Sequence, residues 1–273
     1  MPRERRLRAV PLLSLSRVRG TCQNARVTRL RELLSFAVVL PRGPCAACGA
    51  HRASPLCAVC LASSAIPPCP VATTLGPHAL HFVGAYHARP PNSPHALSPL
   101  GAALRAFKDR GDRYAGRCLA TLFAARCASL VEARHVVVPV PSDPGRLRDR
   151  GLSPAAWLAR SLSGRSGARL CTTALHRLPG RPPQRGLGGV ARRTNARGAF
   201  ALGPCNVEGY SVILADDVVT TGATLDDAAR CLREAGAAEI VCVVLACADE
   251  GMLRTCRTMT GSTGTSDIAT RPG

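Results

Sequence analysis

One stretch constrains this chain more than any other: residues 212–235, which read VILADDVVTTGATLDDAARCLREA. Four apolar residues, Val212, Ile213, Leu214 and Ala215, run into two acids, Asp216 and Asp217. Val218 and Val219 lead on to Thr220, Thr221, Gly222, Ala223 and Thr224. A helical pattern follows, with Leu225, Ala228, Ala229 and Leu232 on one side and Asp226, Asp227 and Arg233 elsewhere. The pattern predicts a buried strand that delivers two carboxylates to a hydroxyl- and glycine-rich turn, which opens a helix. A helix N-terminus carries unpaired N–H groups and a partial positive charge, so it holds a phosphate well. Gly222 lets the backbone approach the anion, and the three threonines add hydroxyl donors. Two carboxylates repel a phosphate and need another task; they accept hydrogen bonds from sugar hydroxyls and help to hold a hydrated Mg²⁺. The whole fits a sugar phosphate. An ordinary strand–turn–helix with a threonine cap is the simpler alternative, but it has no need of adjacent acids beside Thr-Thr-Gly.

At these residues the stretch resembles the signature of type I phosphoribosyltransferases. The resemblance implies that the acids and the T-T-G-x-T turn bind the ribose and 5-phosphate of phosphoribosyl pyrophosphate (PRPP), with Mg²⁺.

Length and composition bound the rest. A chain of 273 residues can bury one sizeable domain and a small module. Aromatic residues make up only 3% against 46% hydrophobic, so the core is expected to be Ala, Val and Leu. Lys108 is the single lysine, and the net charge of +19 comes from arginine. That charge favours polyanionic partners, either nucleic acid or phosphate-rich small molecules. No secretory apolar segment and no run of about 18 apolar residues is present, so no membrane partner and a cytoplasmic location are expected. Of 14 cysteines, four form two C-x2-C pairs: Cys45 with Cys48, and Cys57 with Cys60. This spacing places four thiolates around one Zn²⁺ with no open position, which predicts a structural zinc; a redox pair would not need the second C-x2-C. The other thiols are expected to be reduced and buried as small hydrophobes.

Residues 1–34 are arginine-rich. They read as a basic arm for nucleic acid, a transit-like leader, or, the preferred reading, sequence upstream of a true start near Val27. Residues 35–66 form the zinc-knuckle module, and 67–99 are a proline-rich linker with one strand, His81 to Tyr86, and loop histidines His78, His81, His87 and His95. The main domain is expected over 100–249 and a disordered tail over 250–273. Within the main domain a helical pattern breaks at Gly111, beside Lys108. Lys108 reads equally as a phosphate contact and as part of a solvated turn. A buried parallel strand around Val136, Val137 and Val138 runs into a loop bearing Arg146, Arg148 and Arg150. Guanidinium groups at the end of a central strand suit an anion, on the same rim as Asp216. Residues 175–200, rich in Gly, Pro and Arg, fit a mobile lid carrying Gln184, Arg192 and Asn195, or a nucleic-acid-binding loop.

Taken in order, these pieces resemble the ComF family (competence protein F and its GntX-like relatives) over about residues 33–248. The carrying motifs are the C-x2-C pair at 45–60, F-K-x-R-G-D at 107–112, V-P-V-P and R-x3-R-G at 139–151, Q-x2-L-x4-R-x2-N-x2-G-A-F at 184–200, and D-D-V-x-T-T-G-A-T at 216–224. Relatives often carry a histidine after V-P-V-P and an R-G-F-N-Q run. Here those positions hold Ser142 and Asp143, and Arg150, Gly151, Leu152, Ser153 and Pro154. The resemblance implies an α/β fold: a type I phosphoribosyltransferase-like parallel sheet flanked by helices, with a small N-terminal zinc-binding module. It implies a PRPP site at Asp216, Asp217, Val218, Thr220, Thr221, Gly222, Ala223 and Thr224, with the pyrophosphate side after Pro141. The residues expected to carry chemistry are Arg146, Arg150 and Lys108 for charge and Asp217 as a secondary acid or base, with an unknown acceptor. The alternative is a non-catalytic competence protein that handles DNA, binding a single strand or a helicase partner.

Overall fold

Residues 43–50, 56–64, 71–75, 78–87, 96–179 and 198–253 are described by the computed structural model. All of them belong to one unit, Leu40–Gly273. The apolar runs form a six-stranded sheet. Its strands are β1 (Val71–Leu75), β2 (His78–Ala85), β3 (Val136–Pro139), β4 (Arg169–Leu170), β7 (Ser211–Val219) and β8 (Glu239–Cys247). The order is β1-β2-β8-β7-β3-β4. Every neighbouring pair is parallel except the β1–β2 hairpin at one edge. A separate antiparallel hairpin joins β5 (Leu175–Arg177) to β6 (Phe200–Leu202). Strand β7 is central, with Val136 opposite Val212 on one side and Asp216 opposite Val244 on the other. Its run of Val and Ile is what a strand buried on both faces requires.

Among the described residues the sheet is accompanied by the helices α1 (Ala58–Ser63), α2 (Pro99–Arg110), α3 (Arg113–Cys127), α4 (Pro144–Arg150), α5 (Pro154–Ser166) and α6 (Ala223–Glu234). Ser98, Asp143 and Ser153 cap α2, α4 and α5 through their side chains, each followed by a proline in the first turn. Such a cap satisfies an orphan N–H, and the fixed φ of proline suits the first helical position. Gly111 ends α2 with φ 66°, and Asp112 at once caps α3, so the break expected at Gly111 separates two helices. Helices α2, α3 and α5 lie on one face of the sheet. Leu104, Phe107, Leu119, Phe123, Leu158 and Leu162 are buried there, and Trp157 leans on Phe107 at 5.1 Å. On the other face, Val212 and Leu214 of β7 join Leu225, Ala228 and Leu232 of α6 in one core. The result is the expected α/β fold, a type I phosphoribosyltransferase-like parallel sheet flanked by helices.

Several sequence expectations change. The arginine segment after β3 is a helix, because Asp143 and Pro144 form a cap and first turn. Residues read as linker supply β1, and the strand expected from His81 to Tyr86 begins earlier, at His78, as β2, so His78 and His81 are strand residues, not loop residues, and His78 is buried. The segment read as the start of a tail is helical over 250–253, and Met252 and Leu253 pack on the core. Cys171 and Cys205, 34 residues apart in sequence, are disulfide-bonded rather than free; their Cα atoms lie 6.5 Å apart, within reach of a bridge. Cys118, Cys127, Cys231, Cys242 and Cys247 are buried, and burial pushes the Cys242 thiol up to about 12. Residues 1–34, His95 and residues 254–273 lie outside the described residues. No helix among the described residues is long and apolar enough to cross a membrane.

Candidate active site

Side chains alternate along a strand, so adjacent acids at the end of β7 point to opposite faces. Asp217 shares the parity of Ile213 and Ala215 and meets α2: its Oδ1 accepts a hydrogen bond from Lys108 Nζ at 2.9 Å. Lys108 is 109 residues away in sequence and sits in the last turn of α2. The single lysine of the chain is therefore at the acids rather than in a solvated turn. Asp216 shares the parity of Val212 and Leu214, and its Oδ1 accepts from the Asp217 N–H at 2.8 Å. Burial, and then the Asp217 charge, push the Asp216 carboxyl up to about 8; the Lys108 and Arg177 charges oppose this only in part. By accessible surface Asp217 is the more buried of the two, at 9% exposed.

The turn after β7 leaves Thr220 and Thr221 exposed and Val218, Ala223 and Thr224 half-buried. Gly222 is buried and has φ 77°. A Cβ there would overlap the Leu75 side chain from β1, so the position needs glycine for both its backbone conformation and its packing. Among the described residues no side chain caps α6. The nearest approach is the Ala223 N–H, which reaches Thr221 Oγ1 at 3.5 Å. The first N–H groups of α6 are thus available to an anion.

Helix α4 follows β3, the parallel neighbour of β7, so it starts at the same edge of the sheet as the acids. Arg146 is exposed, and its backbone N–H is held by Asp143 Oδ1 at 3.1 Å. Arg150 closes α4, and its side chain lies outside what is described. Gln184, Arg192 and Asn195 also lie outside the described residues.

Two functional candidates escape the sequence. Arg177, on β5, stacks over Phe200 at 5.3 Å, and its charge acts on Asp216. Asp227, on α6, is buried and accepts hydrogen bonds from the N–H groups of Gly198 and Ala199 at 2.9 and 2.8 Å and from Arg230 at 2.8 Å. Burial works to raise its carboxyl, but Arg230 and the two N–H groups outweigh it and hold it below the usual range. Asp227 so ties the helix behind the turn to the residues that lead into β6. A helical-wheel reading places it among the polar residues, and only the fold shows it buried.

The Sγ atoms of Cys45, Cys48, Cys57 and Cys60 lie within 4.8 Å of one another. Cys48 and Cys57 are 3.8 Å apart. A tetrahedron with Zn–S bonds of 2.3 Å has edges of about 3.8 Å, so the four thiols fit a zinc ion. Burial works to raise Cys45, but the N–H groups of Cys48, Cys57 and Ala47 bring it down to about 7. Burial and the neighbouring thiols push Cys60 up.

Comparison with known proteins gives the relatives of this chain. A model of the phosphoribosyl transferase domain matches residues 150–258. Competence protein F of Haemophilus influenzae is 31% identical over 153 residues, 54% of this chain and 67% of that protein. The chain belongs to the competence protein F family. ComFC of Bacillus subtilis, another competence protein, is 31% identical over 50% of this chain and 55% of its own length. Among solved structures, a hypoxanthine phosphoribosyltransferase of Staphylococcus aureus is similar with TM-score 0.32 and 12% identity, over 48% of this chain and 62% of that one. For this competence protein F family member, the matched phosphoribosyl transferase span holds α5, the β5–β6 hairpin, β7, α6 and β8. The cysteine cluster, Lys108 and Arg146 precede it.

Proposed function

We propose that the chain binds PRPP, or a related ribose phosphate, with Mg²⁺, and transfers the phosphoribosyl group to an acceptor nitrogen. One observation carries the reading: two acids near the end of the central strand β7 precede a helix whose N-cap is Gly222 at positive φ, with no side-chain cap among the described residues. In it, the N–H groups of Gly222, Ala223 and Thr224 and the hydroxyls of Thr220, Thr221 and Thr224 hold the 5-phosphate, with Val218 spacing the turn from the acids. Asp216 and Asp217 take the ribose hydroxyls. Arg146 and Arg150 face the pyrophosphate, joined by Lys108 once ligand separates it from Asp217. Gln184, Arg192 and Asn195 close over the bound ligand.

The donor set bears on Mg²⁺. Carboxylate oxygens suit it, but Asp216 keeps its proton to about pH 8 and Asp217 is engaged by Lys108. Such a pair fits a metal that arrives on the pyrophosphate. When bound, that metal neutralises charge on the leaving group. In the transfer, the bond from ribose C1 to pyrophosphate oxygen breaks and its electron pair leaves on the pyrophosphate. The acceptor nitrogen donates its lone pair to C1 and loses a proton, for which Asp217 is the nearby base. Placement and charge stabilisation by the arginines and Lys108 supply most of the catalysis. The four cysteines hold a structural zinc, in a module over 35–66 ahead of the main domain at 100–249.

A second reading is supported by the names of the relatives, both competence proteins, and by the charge of +19. In it the ligand site is retained without turnover, and the arginine surface binds single-stranded DNA or a helicase partner. Release of pyrophosphate from PRPP across a panel of nucleobases separates the two: release with one base supports transfer, and binding without release supports the second. An arginine–phosphate interface also requires DNA binding that weakens steeply with salt; salt-independent binding contradicts it.

A further inference from the structure

Ser64, the residue after α1, is fully buried and joins three elements. Its hydroxyl donates to the carbonyl of Cys60, the last of the four clustered cysteines, at 2.7 Å. The same oxygen accepts from the Leu100 N–H, in the first turn of α2, at 2.9 Å. Its carbonyl accepts from Ala85, the last residue of β2, at 3.2 Å. Ser98, also fully buried, completes the junction: it donates to Ala85 O at 2.6 Å and accepts from Gly101 N at 3.0 Å. There is no slack here, because a Cβ on Gly101 would overlap the Tyr86 carbonyl. The other end of α2 carries Lys108, bonded to Asp217. A helix is stiff over three turns, so the seat of its first turn fixes where its last turn stands. The backbone at Cys60 is in turn fixed by whatever holds its thiolate.

We propose that Ser64 is a positioning residue through which the metal state of the cysteine cluster sets the seat of α2, and so the placement of Lys108 at the Asp216–Asp217 site. Zinc at Cys45, Cys48, Cys57 and Cys60 then raises affinity for a ribose phosphate without touching it. The affinity arm rests on the PRPP reading above; the seating of α2 does not.

The test uses the full chain and Ser64→Ala, which deletes both side-chain hydrogen bonds and leaves the buried Leu100 N–H without its partner. Three quantities are read: bound zinc, amide hydrogen exchange over residues 106–111, and PRPP/Mg²⁺ affinity. Zinc-loaded Ser64→Ala is expected to keep its metal, yet to exchange about tenfold faster over 106–111 and to bind PRPP about tenfold more weakly, the size of one lost buried hydrogen bond. Removing zinc from the wild type gives the same two changes, and removing it from Ser64→Ala adds little, because coupled sites are not additive. If Ser64→Ala fails to fold, Ser64→Cys, a weaker donor of similar volume, carries the same comparison with an effect of about threefold. Unchanged exchange over 106–111 in either zinc-loaded variant, or after zinc removal from the wild type, overturns the proposal. A wild type that binds no PRPP but shows the exchange changes sinks the ligand reading and leaves the coupling standing.

Discussion

Asp216 and Asp217 follow one another at the end of β7, yet strand alternation gives them different neighbours. Asp217 meets Lys108, while burial, and then the Asp217 charge, push Asp216 up to about 8. An unfolded aspartate titrates near 3.9. Between those values the folded state binds a proton that the unfolded state has lost, so stability falls as pH rises through that window, and the penalty is complete above about 8. Asp216→Asn keeps the shape of the protonated acid and removes the titration. We therefore expect the melting temperature of the ligand-free wild type to fall relative to Asp216→Asn between pH 5 and pH 8, by several degrees. Parallel melting curves for the two proteins would contradict the assignment. At this scale the acids and the Thr-Thr-Gly turn were legible because they are contiguous. The partners of the site were not: Lys108 bonds an acid 109 residues away, and Asp227 is buried against Gly198 and Ala199 although its spacing places it with the polar residues of α6.

Among the elements, the β7–α6 turn depends on a remote strand. Gly222 combines φ 77° with a contact that leaves no room beside Leu75 of β1. Gly222→Ala is expected to cost about 1–3 kcal/mol and to weaken ribose phosphate binding, because either the turn or β1 must move. Denaturant unfolding and ligand titration of the variant check both effects; an unperturbed midpoint would show that the turn tolerates a side chain. The apolar runs of β3, β7 and β8 and the glycine break between α2 and α3 announce themselves in the sequence. The two-residue β4 and the edge strand β1 do not, since each is held by its neighbours and not by its own pattern. Helix α4 was hidden differently: arginines suggested a loop, and the Asp143–Pro144 cap decided for a helix.

The whole molecule places a cysteine cluster behind the same helix that reaches the acids. Zinc removal is expected to lower the melting temperature by about 5 °C or more, since metal binding energy is folding energy in a site of four thiolates. The loss should shrink as pH falls, because protons compete with the metal for the four thiolates. Equal melting temperatures with and without chelator would show that the four thiols hold no structural metal. The charge of +19 and the competence proteins among the relatives bear on what the molecule does with its ligand. What it binds is the prior question. Calorimetric titration of PRPP with Mg²⁺ into the wild type and into Asp216→Asn/Asp217→Asn answers it. Saturable binding to the wild type, weakened at least about tenfold by the double substitution, is the predicted result. Absence of any wild-type affinity for PRPP or ribose 5-phosphate, or equal affinity in the double variant, would contradict the account.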